Sequence, residues 1–465
     1  MTKQYRDILL GLVLFVLVYF IAKTTITKEQ AAALGTLALM ACWWVTMCLP
    51  VGITAFVPVL VNALFSVIDM DRLLANYGSE TVMLLMGSSM LAYSFEKTGL
   101  DRRISLYAVS RIGVSLKSQI VVWFLLAVGL SLFIPKTVAA AILLPIAVSM
   151  LRFVGEEDLS GTKDRVVGAS ILSAIVWGVS IGGTATPLGG SMNLVGIRYI
   201  EELLGREYLF AEWTMFFGPM TIVLALICLA VILLETDTRY TLSGSKSYFR
   251  AQLQKYQVVS KEEKVCFSLF ITVIVLAFTR EWYAGILPDL KPAYIFLAGG
   301  LLTMMIPIDQ KNICTWKEME SHLLWGTVFM FAGGMALGEM IADSGITDTI
   351  AAALMSANIT DPRLLLVMMV GFTILVSELS NDTSAAAICV PLTISIFQGL
   401  GEDPFLYVLV ICLAFNSSYM LPTTFRSLAI GYGLSTKYLL KKGALLTLLS
   451  WLFISSIGCM IVSVF

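Results

Sequence analysis

The sequence is poor in charge and in the residues that build enzyme and metal sites. Only 14% of its 465 residues are charged, and His322 is its single histidine. Without an HExxH motif, a Cys/His cluster or a recognisable nucleophile and base in the apolar segments, we expect neither an enzyme nor a bound metal or other cofactor. The eight cysteines lack CxxC or paired spacing, so we interpret them as small core residues. The net charge of −1 and the lack of a long basic block predict no nucleic-acid partner.

Apolar residues are abundant instead, at 58% of the chain with a mean hydropathy of +0.86. This composition is typical of a polytopic membrane protein. Runs long enough to cross roughly 30 Å of hydrocarbon lie near 7–22, 30–49, 51–68, 81–96, 210–234, 264–280, 290–307, 323–342 and 444–464. The first run is interpreted as a membrane helix, because Lys23, Thr24 and Thr25 follow it where a signal peptide would have a small-residue cleavage site.

Four further apolar stretches are interrupted within the membrane. Two are predicted hairpins, at 118–151 and 363–399, and each is followed by a segment with a cluster of helix-breaking residues, at 166–199 and 404–435. With each broken segment counted as one span, the sequence predicts an all-α polytopic membrane protein with about eleven transmembrane helices and two re-entrant hairpins. Broken backbone at membrane depth must be buried in protein or line a wet cavity, so we expect a cavity at the breaks.

The hairpins belong to an internal repeat with an offset of 246 residues. This offset relates Lys136 to Asp382, one at the tip of each hairpin. Residues that keep their type when 246 is added to their number are Ser131, Thr137, Ala139, Ala140, Ala141, Ile142 and Pro145, with Gly87, Leu91 and Gly99 earlier in the repeat. Ionisable groups at membrane depth are expensive and usually functional, and repeats with broken helices are how secondary transporters build a site.

Loop charges predict that the two repeats are inverted. The arm 97–117 is mostly basic, whereas its counterpart 343–363 is mostly acidic. The arm 97–117 has one acid, Asp101, and five basic residues: Lys97, Arg102, Arg103, Arg111 and Lys117. The arm 343–363 has one basic residue, Arg363, and three acids: Asp343, Asp348 and Asp361. By the positive-inside rule the first arm is cytoplasmic, the second is external and the N-terminus is cytoplasmic. We expect a multi-pass protein of the plasma membrane.

In its hairpins and in several short motifs, the chain resembles the divalent-anion:sodium symporter family of dicarboxylate transporters. The residues that carry the resemblance are Trp325-Gly326, Phe331–Gly334, Glu96–Leu100, Ser180–Pro187 with Asn193, and both hairpins. The resemblance implies a homodimer in which a transport domain moves like an elevator against a scaffold. The implied division is scaffold at 1–80, first repeat at 81–209, scaffold and cytoplasmic loop at 210–322, second repeat at 323–443 and a last helix at 444–465.

The chain departs from this family at the positions that hold substrate and sodium. The family's Ser-Asn-Thr tips read Pro135-Lys136-Thr137 and Asn381-Asp382-Thr383, and its Thr-Pro-Pro-Asn motifs read Gly190–Asn193 and Phe425–Leu428. Our hypothesis is that Lys136 and Arg426 stand in for the two sodium ions and supply the countercharge of a dianion. The chain would then be a sodium-independent exchanger of dicarboxylates such as succinate, malate, fumarate or 2-oxoglutarate. The predicted substrate-binding residues are Lys136, Thr137, Pro187, Asn193, Asn381, Asp382, Thr383, Thr424, Arg426 and Ser427.

Alternatives stay open for the charged residues. Lys136 could serve only as the ion-pair partner of Asp382, and Arg426 could be a helix-end arginine that reaches the membrane interface. Asp382 could neutralise Lys136, bind sodium or carry a proton, and the last two roles would make the chain a coupled symporter. Glu378 is expected to be a structural partner behind the site. The threonines of both tips, Thr137 and Thr383, are expected as helix N-caps.

Overall fold

A computed structural model of the protein describes residues 3–110, 113–156, 158–160, 166–234, 236, 240–254, 258–309, 311–346, 361–422 and 424–464. This part of the chain is almost entirely helical, and its one sheet is a two-residue antiparallel pair of β1, Pro307–Ile308, and β2, Lys311–Asn312. The predicted all-α class is confirmed. Most of the predicted outer arm, 347–360, lies outside the described residues, as does Arg111 of the inner arm.

The first half contains the first hairpin and the first broken span. Its helices are α1 Lys3–Ala22, α2 Lys28–Thr46, α3 Val51–Thr54, α4 Val57–Phe65, α5 Met70–Ala75, α6 Glu80–Thr98, α7 Leu100–Ser110, α8 Leu116–Ser131, α9 Lys136–Phe153, α10 Val167–Gly182, α11 Ser191–Leu204 and α12 Phe210–Leu234. Short 3-10 helices occupy Asn76–Gly78 and Pro187–Gly189. Helices α8 and α9 form the first hairpin, and α10 and α11 form the first broken span.

The second half repeats this plan. Its helices are α13 Ser245–Gln254, α14 Lys261–Phe278, α15 Arg280–Tyr283, α16 Pro292–Met305, α17 Trp316–His322, α18 Trp325–Asp343, α19 Pro362–Leu379, α20 Asp382–Gly399, α21 Pro404–Ala414, α22 Arg426–Gly431 and α23 Thr436–Val464. Helices α19 and α20 form the second hairpin, and α21 and α22 form the second broken span. Every residue of α10 is buried, as expected for a broken span enclosed by protein.

Several helices have the length and composition of membrane spans. In the described part of the chain five helices, α1, α9, α12, α19 and α23, are long and apolar enough to cross a membrane, and a sixth arises if α17 and α18, bent by 58°, count as one. Shorter apolar helices cover Val51–Phe65, Leu116–Ser131, Val167–Gly182, Pro292–Met305 and Pro404–Ala414. The prediction of a polytopic membrane protein is confirmed, and the count of eleven spans stays a prediction.

The two hairpins enter the protein from opposite ends. The loop after α9 contacts the start of α23, where the Ser435 amide donates to the Ser160 carbonyl at 3.0 Å. The start of α19 instead lies near the far end of α23, with the Cys459 thiol 4.0 Å from the Arg363 carbonyl. A helix of 29 residues is roughly 43 Å long. The hairpin bases are therefore separated by about the thickness of a membrane, as an inverted repeat requires.

One local prediction is wrong. Thr137 and Thr383 are not N-caps, because α9 begins at Lys136 and α20 begins at Asp382, which makes each threonine the second residue of its helix. Asn381 caps α20 with its side-chain oxygen, which accepts from the Ser384 amide. Asparagine is among the best N-cap residues, and the fixed φ of Pro135 sets the entry to α9.

Candidate site at the hairpin tips

The two hairpin tips meet through an ion pair. The Lys136 ammonium lies 2.8 Å from Asp382 Oδ2 and donates a second hydrogen bond to Asn416 Oδ1 at 2.9 Å. Lys136 is 5% exposed and Asp382 7% exposed. The repeat therefore brings its two charged tip residues into direct contact, and Asn416 of the second broken span joins them.

Close packing directs the Lys136 side chain toward the second hairpin. Its stem lies against Gly183 at the first break, where an added Cβ would come 2.5 Å from Lys136 Cε. Asp382 is held independently of the lysine, because its Oδ1 accepts hydrogen bonds from the hydroxyls of Ser377 and Ser418, each at 2.7 Å. The carboxylate also lies at the N-terminus of α20, where the helix dipole stabilises negative charge.

Two asparagines connect the broken spans behind this ion pair. The Asn416 amide donates to Asn193 Oδ1 at 2.9 Å, and the Asn193 amide donates to the carbonyls of Gly183 and Thr186. Asn193 is fully buried and satisfied by these contacts. It therefore fixes the backbone of the first break and the orientation of Asn416, which in turn accepts from Lys136.

Arg426 is fully buried at the second break, which excludes the alternative of an arginine that reaches the membrane interface. Its Nη1 donates to the Ser418 carbonyl and hydroxyl at 2.8 Å, and its Nε donates to the Leu421 carbonyl at 2.7 Å. Glu378 Oε2 lies 3.9 Å from Nη2. Arg426 thus holds the unwound backbone that follows α21, and Ser418 links it to Asp382.

Glu378 is a structural partner, as predicted. Its carboxylate accepts the backbone amides of Tyr419, Met420 and Leu421, the last two at 2.8 and 2.9 Å. These amides belong to the broken segment, and no helical carbonyl of the described residues accepts from them. Buried backbone donors must find acceptors, so the carboxylate stabilises the break.

A cavity of about 240 Å³ opens beside the tips. Six of the ten predicted substrate residues line it: Lys136, Thr137, Asn381, Asp382, Thr383 and Thr424. The other four, Pro187, Asn193, Arg426 and Ser427, are not among the described residues that line it. Pro187 begins a buried 3-10 helix, and Ser427 is exposed with its hydroxyl donating to the Thr424 carbonyl.

The buried charges around the cavity cancel. Lys136 is paired with Asp382, and Arg426 lies near Glu378. Two cations and two acids give no net charge, whereas the sequence hypothesis assumed two cations available to a dianion. Positive potential at the cavity therefore has to come from the helix N-termini of α9 and α20.

Sequence reasoning missed four polar residues of the site. Ser377 and Ser418 hold Asp382, Asn416 holds Lys136, and the Ser191 hydroxyl lies 2.7 Å from the Thr383 hydroxyl at the cavity wall. Ser377 carried a signal, because it is the repeat equivalent of Ser131. Asn416 carried none, since a neutral residue at the end of an apolar helix resembles many others. Within the described residues no group of three or more His, Cys, Asp and Glu side chains is arranged to hold a metal ion.

Comparison with known proteins agrees with the sequence resemblance. Two proteins named sodium-dependent dicarboxylate transporter SdcS are each 26% identical to this chain. The one from Staphylococcus saprophyticus matches over 96% of this chain and 89% of its own length, and the one from Staphylococcus aureus strain RF122 over 92% and 85%.

A solved structure shares the fold. The YdaH transporter of Alcanivorax borkumensis superposes with a TM-score of 0.55 at 15% identity, over 86% of this chain and 90% of that one. The family model described as "Sodium:sulfate symporter transmembrane region" matches residues 2–464. The chain therefore belongs to the sodium:sulfate symporter family, and the predicted relationship to divalent-anion symporters is confirmed.

Proposed function

We propose that the protein carries C4 and C5 dicarboxylates of the succinate, malate, fumarate and 2-oxoglutarate type across the plasma membrane, by exchange and without sodium. Family membership and the names of the Staphylococcus relatives support the substrate class. A transporter of this kind needs no catalytic residues. The proposed difference from its sodium-dependent relatives is that a lysine side chain takes the place of the sodium ion.

The position of the Lys136 ammonium is the observation that carries sodium independence. Carboxylate and amide oxygens are ligands suited to a hard cation, and Asp382 and Asn416 direct such oxygens at this ammonium at 2.8 and 2.9 Å. The ammonium thus occupies the space that a sodium ion would need. A covalently attached cation cannot be released with the substrate, so no sodium gradient would drive the cycle.

The cavity wall supplies neutral donors for the substrate. The hydroxyls of Thr137, Ser191 and Thr383 lie at the tips, and α9 and α20 begin at the same tips, so the positive ends of their helix dipoles lie beside the cavity. Lys136 adds a charge-assisted hydrogen bond when a substrate carboxylate competes with Asp382. Arg426 would act indirectly, by orienting Ser418 and hence Asp382.

An elevator movement within a homodimer is part of the proposal. The cavity lining comes from two groups of elements. The hairpin tips and breaks lie on one side, and Met47 directly after α2, Val51 of α3 and Thr327 of α18 lie on the other. A substrate site at the boundary between two such groups suits the movement of one group against the other.

Counterflow in proteoliposomes tests the proposal. Vesicles loaded with unlabelled succinate should take up labelled succinate at the same rate in sodium and in choline buffers, and empty vesicles should take up little. Uptake into empty vesicles that requires a sodium gradient would contradict the proposal. Saturation at high succinate separates a carrier from a channel.

A second candidate is proton-coupled symport through Asp382, and the cancelled charges favour it. A dianion that enters a site without net charge carries two uncompensated negative charges across the membrane, which is costly. Protonation of Asp382 would release Lys136 to the substrate and lower this cost. Uptake into empty vesicles driven by an inward proton gradient would support this candidate over exchange.

A further inference from the structure

A second polar cavity lies at the opposite ends of the helices that line the central one. Ser191 at the start of α11 and Thr327 in α18 face the central cavity. Further along both helices, Tyr199 and Gly338 line another cavity of about 360 Å³, closed by the segment around Arg72. Eight residues of helix separate Ser191 from Tyr199, so the two cavities lie roughly 12 Å apart.

The Tyr199 hydroxyl in this cavity is buried and unsatisfied. Tyr199 is 7% exposed, and within the part of the chain that the structure describes its hydroxyl has no hydrogen-bond partner. It lies against Gly338, where an added Cβ would overlap it. Buried hydroxyls normally find partners, because an unsatisfied one costs free energy. The hydroxyl oxygen is enclosed at the cavity wall, so a rotation of the Tyr199 side chain would bring this unpaired donor to a ligand.

Arg198, the residue before Tyr199 on α11, supplies a cation to the lining of the same cavity. It is exposed, and no carboxylate of the described residues lies within 4 Å of its guanidinium. Arg72, the other cation of the cavity, is already paired with Glu339 at 2.5 Å and with Asp343. Glu202 shares the cavity with Arg198. The Arg198 guanidinium and the Tyr199 hydroxyl therefore remain to bind a ligand, and the Glu202 carboxylate lines the same cavity.

We propose that this cavity is a separate binding site for one carboxylate group. The Arg198 guanidinium pairs with the carboxylate in the forked geometry that it forms with planar anions, and the Tyr199 hydroxyl donates to one of its oxygens. Glu202 repels a second negative charge, so the site holds one end of a dicarboxylate and leaves the other end in the solvent. By the predicted orientation the site faces the external side, where it collects substrate before entry.

Only the identity of the ligand as a transported carboxylate rests on the proposed function. The site itself can be tested without transport, by the thermal stability of the purified full-length protein in acetate and in chloride at equal ionic strength. Acetate should raise the melting temperature of the wild type more than chloride does, because ligands that bind the native state stabilise it. Arg198→Gln should abolish this difference, and Tyr199→Phe should reduce it.

Arg206→Gln is the matched control. Arg206 lies near the end of the same helix, and its guanidinium is held by Glu212 at 2.9 Å and 3.0 Å, so this variant should respond to acetate as the wild type does. An equal effect of acetate and chloride on the wild type, or an equal loss in Arg198→Gln and Arg206→Gln, would overturn the site.

Transport then tests the collecting role. Loss of a charge-assisted bond should raise KM for succinate applied to the outer face roughly tenfold in Arg198→Gln, with kcat and the KM at the inner face unchanged. A KM that rises equally at both faces would overturn this role. If the protein transports no dicarboxylate at all, the proposed function fails while the acetate response still decides whether the site exists.

Discussion

The two hairpin tips occupy equivalent places in the repeat but differ in how they hold their charge. Asp382 lies at a helix N-terminus that stabilises negative charge, and Ser377 and Ser418 donate to it. Lys136 lies at the N-terminus of α9, where the helix dipole disfavours positive charge. The N-cap residue of this helix, Pro135, makes no side-chain hydrogen bond to it. The acceptors of the Lys136 ammonium, Asp382 and Asn416, both come from the second half of the chain.

This difference means that the ion pair is not symmetric. The second tip is stabilised mainly by its own repeat, whereas the charge of the first tip depends on contacts from the other repeat. Removal of Asp382 and removal of Lys136 should therefore lower the stability of the protein by unequal amounts. Substitution of each residue in turn tests this difference.

Asp382→Asn should have the largest effect. It leaves the Lys136 ammonium buried beside a helix N-terminus without a counter-ion, and removal of one partner of a buried pair costs about 3–5 kcal/mol. We expect a large fall in the melting temperature of the purified protein and loss of transport. The double variant Lys136→Met/Asp382→Asn is the control, since it removes both charges and should recover most of the lost stability. A double variant no more stable than Asp382→Asn would contradict the account of an unpaired lysine.

Lys136→Ala should destabilise the fold less, because the remaining carboxylate keeps its two hydroxyl donors and the helix dipole. The loss of one charge-assisted bond corresponds to about 1.5–3 kcal/mol. Succinate exchange should be lost or become dependent on sodium, measured by counterflow in sodium and choline buffers. Unchanged exchange would remove Lys136 from the site, and a melting temperature lower than that of Asp382→Asn would reverse the comparison of the tips.

The contact between the tips was predictable from sequence, whereas its surroundings were not. A constant offset within broken apolar segments pairs Lys136 with Asp382, and the helices agree with the predicted spans within a few residues at most ends. The capping roles of Thr137 and Thr383 were predicted wrongly, because local turn chemistry favoured Asn381 and Pro135. Asn416 and the full burial of Arg426 follow from tertiary packing of the second break, which no local pattern in one sequence reveals.

Gly183→Ala should disturb the first tip through packing alone. The new Cβ would lie 2.5 Å from Lys136 Cε and 3.0 Å from the Gly189 carbonyl, which forces the lysine stem away from Asp382. Overpacking of this kind costs about 1–3 kcal/mol. We expect a lower melting temperature and a slower exchange rate than in the wild type.

Gly129→Ala provides the matched control within α8. Among the described residues, no atom outside the backbone of α8 lies within 4 Å of a Cβ at Gly129, and alanine in a helix interior is favoured over glycine by roughly 1 kcal/mol. This variant should keep or raise the melting temperature. Equal losses in Gly183→Ala and Gly129→Ala would show that the tip is no more tightly packed than the rest of the hairpin.

The smallest expected effect concerns a buried acid that, unlike Asp382, forms no ion pair with any of the described residues. Asp101 lies in the arm helix α7, outside the apolar spans, and burial raises its pKa to about 6, although the Arg102 backbone amide partly opposes this shift. Because the folded protein binds this proton more tightly than the unfolded chain does, stability should rise as the pH falls from about 7 toward 4, by no more than about 2 kcal/mol. Asp101→Asn should be more stable than the wild type at pH 8, with the difference shrinking at pH 5, as measured by melting temperatures at both values. A pH-independent difference between the two proteins would show that Asp101 remains charged throughout and that burial without a counter-ion is tolerated in the arm.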